Sequence, residues 1–137
     1  MKKLVNNFLY EKESYLIIEA AREVWRELGG SFKENIADKA FNIALKKRNL
    51  KIENQKRINI YFADQIVGVY VPDMIINEVI LVEIKCKPFL IKEDYQQLWH
   101  YLKATKFKLG FIINFSPRGV QFKRIVYDTA RNKAGLA

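Results

Sequence analysis

The chain has 137 residues, half of them hydrophobic and 13% aromatic, with 24 Lys and Arg against 15 Asp and Glu for a formal charge of +9. This matches one globular domain, burying roughly two thirds of its unfolded surface, and excludes a disordered chain. The lone cysteine, Cys86, excludes an internal disulfide and favours a reducing cytoplasm, and apolar runs such as VILV and GFII are too short to span a bilayer.

The N-terminus, MKKLVNNFLYEKES, has neither the apolar run nor the small-residue cleavage site of a secretory signal. The expected compartment is therefore the cytoplasm, with no membrane partner. The positive charge favours polyanions, because neutralising phosphates releases counterions. A basic protein with no nucleic-acid role would carry it equally well. The densest basic stretch is KKRNLKIENQKR, Lys46 to Arg57.

From Ser14 to Leu28, apolar residues at Ile17, Ala20, Ala21, Val24 and Leu28 have helical spacing, and Gly29-Gly30 is the stop. A second helix is predicted from Phe32 to Lys47, with Ile36, Ala37, Ala40, Phe41, Ala44 and Leu45 apolar. KRINIYF then alternates Ile58, Ile60 and Phe62 with Arg57, Asn59 and Tyr61, which predicts a strand. A turn at Ala63 to Gln65 leads into a strand at Ile66, interrupted by Pro72. Strand character resumes from Asp73 to Ile76, turns near Asn77-Glu78 and returns as Val79 to Cys86. Lys92 to Thr105 is predicted helical, burying Tyr95, Leu98, Trp99 and Leu102. Two strands close the chain, Lys108 to Phe115 and Val120 to Tyr127, around the turn SPRG. Two helices, a three-strand meander, a helix and two strands predict an α+β domain with a mixed sheet, its core about residues 14–128.

The segment VPDMIINEVILVEIKCK places ionisable residues in strands that otherwise read as core. Ile80, Val82, Ile84 and Cys86 share one face of the second arm; Leu81, Glu83 and Lys85 share the other. Glu83 and Lys85 are then about 6–7 Å apart along the strand. Asp73 joins them only in one register. A two-residue loop at Asn77-Glu78 sets Asp73 opposite Val82, on the wrong face; a three-residue loop or one bulge sets it opposite Glu83. Facing carboxylates repel, and a divalent cation between them reverses the sign. Oxygen ligands favour magnesium or manganese over zinc.

Pro72-Asp73 followed by Glu83-Ile84-Lys85 resembles the signature of the PD-(D/E)xK nuclease superfamily. REVWRELGGSFKENIADKAF, VPDMIINEVILVEIKC, QLWHYLKATKFKLGFIINF and FKRIVYD resemble, in order, its GxxExxY family, over about Ser14 to Asp128. Aligned on Glu34, Ser31 takes the place of that family's glycine and Ala37 of its tyrosine, so only the glutamate of the named triplet is kept. The resemblance implies a restriction-endonuclease-like fold and a nuclease that hydrolyses phosphodiesters, of DNA in preference to RNA.

By the same resemblance, Asp73 and Glu83 hold magnesium or manganese, with help from the Ile84 carbonyl and Glu34. Lys85 assists the attacking water or stabilises charge, and its acidic neighbours, which keep it protonated, favour the second role. Gln97, on the helix after the lysine strand, faces the site and shares a helix face with Tyr101; Gln96 is its rival. Glu34 has a second reading, as the end of a capping box begun by Ser31. His100 has no Cys or His neighbour to make a zinc site, Cys86 reads as a small core residue, and Trp25 and Trp99 read as packing. Cutting both strands of a duplex would call for a homodimer. A non-catalytic nucleic-acid-binding module on the same fold is the alternative.

Overall fold

A computed structural model describes residues 9–30 and 32–127. Helix α1 (Glu11–Leu28) begins ahead of its predicted start at Ser14 and buries Ile17, Ala20, Ala21 and Val24, while Leu28 is exposed at its end. Gly29 closes it with a positive φ of 79° and an N–H donated to the Trp25 carbonyl. Gly30 then passes so close to the sheet that a Cβ there would lie 1.9 Å from the Ser116 carbonyl oxygen. Only glycine permits that approach. Helix α2 (Glu34–Lys47) starts later than its pattern predicts and buries Ala37, Phe41, Ala44 and Leu45, leaving Ile36 exposed.

The strands are β1 (Ile52–Asn54), β2 (Ile58–Phe62), β3 (Gln65–Tyr70), β4 (Met74–Ile76), β5 (Ile80–Lys85), β6 (Leu109–Ser116) and β7 (Gly119–Val126), with helix α3 (Lys92–Ala104) between β5 and β6. Five of them form one sheet in the order β1-β4-β5-β6-β7. β5 and β6 are parallel and the other pairs antiparallel. A parallel pair needs a crossover connection, and α3 provides it. The predicted α+β architecture with a mixed sheet flanked by helices is the architecture observed.

Both faces of the sheet are covered. α1 and α2 pack on one, against Met74, Ile76, Ile80, Val82, Ile84, Phe111 and Ile113. α3 packs on the other, where Leu98 and Leu102 meet Ile75, Leu81 and Ile112. Leu98 lies over Gly110, where an added Cβ would meet its side chain at 2.9 Å.

The predicted meander divides differently. β2 and β3 pair only with each other, as a separate two-stranded sheet, and β1 takes the edge beside β4. β1 is invisible to periodicity because it is three residues long and lies inside the basic run. Gln55 then turns left-handed (φ 55°), its N–H donated to the Asp73 carbonyl, and the chain leaves the sheet there. Phe62, read as a core-facing position, stands exposed near the hairpin tip because no layer extends that far. Trp99, expected in the buried stripe of α3, is on its exposed side, edge-on to Tyr127 and His100.

The basic run is partly neutralised. Lys47 and Arg48 both pair with Glu23 and so tie α2 to α1, Lys51 pairs with Glu78, and Lys56 with Glu53. Among the described residues no helix is long and apolar enough to cross a membrane.

Candidate active site

The β4–β5 connection fixes the register on which the predicted site depends. Met74 pairs with Val82, Ile75 with Leu81 and Ile76 with Ile80, so the loop is the three residues Asn77, Glu78 and Val79. Asn77 and Glu78 both adopt positive φ (50° and 63°), and the Val79 N–H closes the turn on the Ile76 carbonyl. Asn77 tolerates that backbone and also bridges to β1, its side-chain oxygen accepting from the Lys51 N–H. One step beyond Met74, this register sets Asp73 across from Glu83, on the face that carries Leu81 and Lys85.

Asp73 is oriented by backbone. Its Oδ2 accepts the Ile84 N–H at 2.7 Å. Glu83 is oriented by Tyr70, whose hydroxyl donates to its Oε2. Asp73 lies close enough to Glu83 for its charge to act on that carboxyl. Burial is the largest influence on Glu83 and pushes its carboxyl up to about 7; the Tyr70 hydroxyl opposes this, Asp73 adds to it, and Lys85 offsets part. Burial first, then the charge and hydrogen bond of Glu83, push the Tyr70 phenol far above its ordinary range. Tyr70 therefore acts as a hydrogen-bond donor at every ordinary pH.

Two facing carboxylates mark a place where a cation is electrostatically favoured. Asp73 and Glu83 each have one oxygen bound by the Ile84 N–H or the Tyr70 hydroxyl, leaving the others for a ligand. Among the described residues no group of three His, Cys, Asp or Glu side chains closes into a metal cage. Two carboxylates and a backbone carbonyl fit magnesium, which is held by one or two carboxylates with water and phosphate completing its shell. They fit manganese on the same oxygen chemistry.

Glu34 reaches the rim of this site. Burial raises its carboxyl, Asp73 adds to that, and Lys85 counters it, so it lies in the field of both. It does not close with Asp73 and Glu83 into a three-carboxylate group. The capping-box reading is corrected: Lys33 is the N-cap and Glu34 the first helical residue rather than the third, while Ser31 lies outside the described residues. Asp38, one turn along α2, is a neighbour that sequence reasoning missed. Burial and the charge of Asp73 both raise its carboxyl, and it is bound by Asn42 at 2.8 Å. Its i, i+4 spacing from Glu34 was the available signal.

Gln97 and Gln96 are both exposed on α3. Tyr101, one turn after Gln97 on α3, stacks its ring on Tyr70 at 3.6 Å, 8° from parallel. Tyr70 and Tyr101 were also missed, since Tyr70 reads as one more apolar strand position. Cys86 is half-buried against the core, His100 is exposed, and the Trp25 indole donates to the Ser116 carbonyl at 2.8 Å. A cleft of about 600 Å³ lined by Ile58, Tyr61, Ile75, Glu78 and Phe107 includes none of Asp73, Glu83 and Lys85.

No curated protein sequence matches this chain. Two solved structures are similar: an alkaline exonuclease, LHK-Exo, from Laribacter hongkongensis (15% identity, 85% of this chain and 71% of that one, TM-score 0.44), and SSO0001 (16% identity, 98% and 87%, TM-score 0.41). The family model of the PD-(D/E)XK nuclease superfamily matches residues 11–125. That span covers all the elements described except the last residue of β7, and it contains Asp73, Glu83 and Lys85; the chain belongs to the PD-(D/E)XK nuclease superfamily.

Proposed function

We propose that the chain is a magnesium- or manganese-dependent nuclease of the GxxExxY branch, hydrolysing phosphodiester bonds of DNA in preference to RNA. The observation that carries this reading is the three-residue turn that puts Asp73 across from Glu83, with Lys85 on the same face. Asp73 and Glu83 hold the ion through oxygens not already engaged by Ile84 N–H and Tyr70, and the Ile84 carbonyl completes the protein's share. When bound, the ion supplies positive charge at the phosphoryl oxygen and a water of lowered pKa.

The protein groups do the rest by placement. The Ile84 N–H and the Tyr70 hydroxyl fix the two carboxylates before substrate arrives, so little reorganisation remains. Lys85, beside Glu83 on the strand, stabilises the negative charge that builds on the phosphorane. Glu34 sits at the rim as a supporting carboxylate, and Gln97 marks the α3 face over which substrate enters.

The test is a cleavage panel of single-stranded and duplex DNA and RNA with magnesium or manganese, with Asp73→Ala and Lys85→Ala beside the parent. Both variants should lose cutting by at least a hundredfold, about 2.7 kcal/mol of barrier. Activity surviving both changes sinks this assignment of the site. Salt-sensitive binding by a parent that never cuts establishes the binding module instead.

A further inference from the structure

A second feature of the same sheet end lies outside the metal-binding carboxylates. Parallel strands β5 and β6 finish side by side, Lys85 opposite Asn114. Ligands of open sheets bind outside the carboxyl ends of such strands. Just beyond β5 come Pro88 and Phe89, and just beyond β6 come Pro117 and Arg118. Together with Ser116 and Gln121 they line a cleft of about 400 Å³. Phe89 is 62% exposed there, and Arg118 is exposed with no ion pair among the described residues.

The walls of this cleft are fixed. Asn114 is fully buried and takes both backbone groups of Lys87: its side-chain oxygen accepts the Lys87 N–H at 3.0 Å, and its amide donates to the Lys87 carbonyl at 3.0 Å. The same amide donates to Gln121 at 2.8 Å. Lys87 is further tied to Asp94, at 2.9 Å. Across the cleft, the Ser116 carbonyl is held by the Trp25 indole. An exposed aromatic ring and an unpaired guanidinium are thus held on rigid supports. Glu83 pairs with Ile112, four residues before Ser116, so at about 3.3 Å per residue and about 4.8 Å between strands the β6–β7 turn begins about 14 Å from Glu83. That is about four steps along a nucleic-acid strand at about 3.4 Å each.

We infer that the Phe89–Arg118 cleft is a nucleotide subsite, which rests on the nuclease reading and names where its substrate strand runs. A base a few nucleotides from the scissile position stacks on Phe89, and its phosphate meets Arg118. Stacking accepts any base, because each has a π-face, so the subsite holds a single strand without reading its sequence. It therefore selects strands whose bases are unpaired at that point.

The experiment is binding without divalent metal, using a single-stranded DNA oligonucleotide carrying 2-aminopurine, its RNA counterpart, and the same DNA as a blunt duplex. Parent, Phe89→Ala, Phe89→Trp, Arg118→Gln and Phe62→Ala are compared, the last removing an exposed ring outside the cleft. Phe89→Ala should weaken single-strand binding about 5- to 150-fold and abolish the stacking quench. Phe89→Trp should restore both, and Phe62→Ala should match the parent. Arg118→Gln should reduce the slope of log affinity against log salt by about 0.7. Binding by Phe89→Ala within twofold of the parent, or equal loss in Phe62→Ala, overturns the subsite. If the parent cuts while Phe89→Ala binds and cuts equally well, the subsite falls and the nuclease reading stands. If Phe89-dependent binding occurs and the parent never cuts, the reverse holds.

Discussion

Tyr70 donates its hydroxyl to Glu83 from the last residue of β3, a strand belonging to a different sheet from the one that carries Glu83. The small β2–β3 hairpin is therefore anchored to the main sheet at Glu83, with Tyr101 of α3 stacked on Tyr70. This bond sets both the direction of the Glu83 carboxylate and part of its proton affinity.

Tyr70→Phe keeps the ring stack on Tyr101 and removes only the donor. Ligand-orienting partners of this kind are worth about 10–100-fold in metal affinity. Calorimetric titration with manganese should show a loss in that range, while the urea midpoint moves by no more than the equivalent of about 1–3 kcal/mol. Unchanged manganese affinity would remove Tyr70 from the site.

Glu83 makes stability depend on pH. Its folded-state carboxyl is raised to about 7 from an ordinary 4.5. Between those values the folded protein holds a proton that the unfolded chain has released, so stability falls as pH rises through this window. At about 1.36 kcal/mol per pKa unit the full change is on the order of 3 kcal/mol. Denaturation from pH 5 to 8 with a chelator should show the fall, magnesium should reduce it, and Glu83→Gln should flatten it. A flat parent profile with chelator would count against a buried, proton-holding Glu83.

Deleting Val79 leaves Asn77-Glu78 as a two-residue loop with Ile76 still across from Ile80, so Asp73 stays across from Glu83. Any metal-induced rise in melting temperature should therefore persist in the deletion variant. Loss of that rise with the fold kept would show that the pairing of Asp73 with Glu83 is not enough to build the site.

Gly30→Ala tests the seam between α1 and the β6–β7 turn. Its Cβ would meet the Ser116 carbonyl oxygen at 1.9 Å, so helix or turn must move. Overpacking of this kind costs about 1–3 kcal/mol. The Trp25 bond to that carbonyl should weaken with it, visible as a shift in tryptophan emission. Parent-like stability and emission would mean that the seam yields freely.

Local pattern alone specified a good deal of this protein. Helical spacing located α1, α2 and α3, and strand parity put Glu83 and Lys85 on one face and Ile80, Val82 and Ile84 on the other. Parity also turned the loop length near Asn77 into a condition, which the three-residue turn meets. These features were legible because they repeat along a few consecutive residues, where side-chain direction follows from backbone geometry.

Tertiary structure decided what periodicity does not encode. β1 became an edge strand through pairing with β4, from a segment too short and polar to announce itself. Tyr70 reached Glu83, Asp38 and Glu34 came to face Asp73, and Asn114 closed on the Lys87 backbone, each across a chain separation that local pattern cannot bridge. The raised carboxyl of Glu83 belongs to the same class. It comes from burial and the approach of another carboxylate, and both exist only after the two faces of the sheet have been covered.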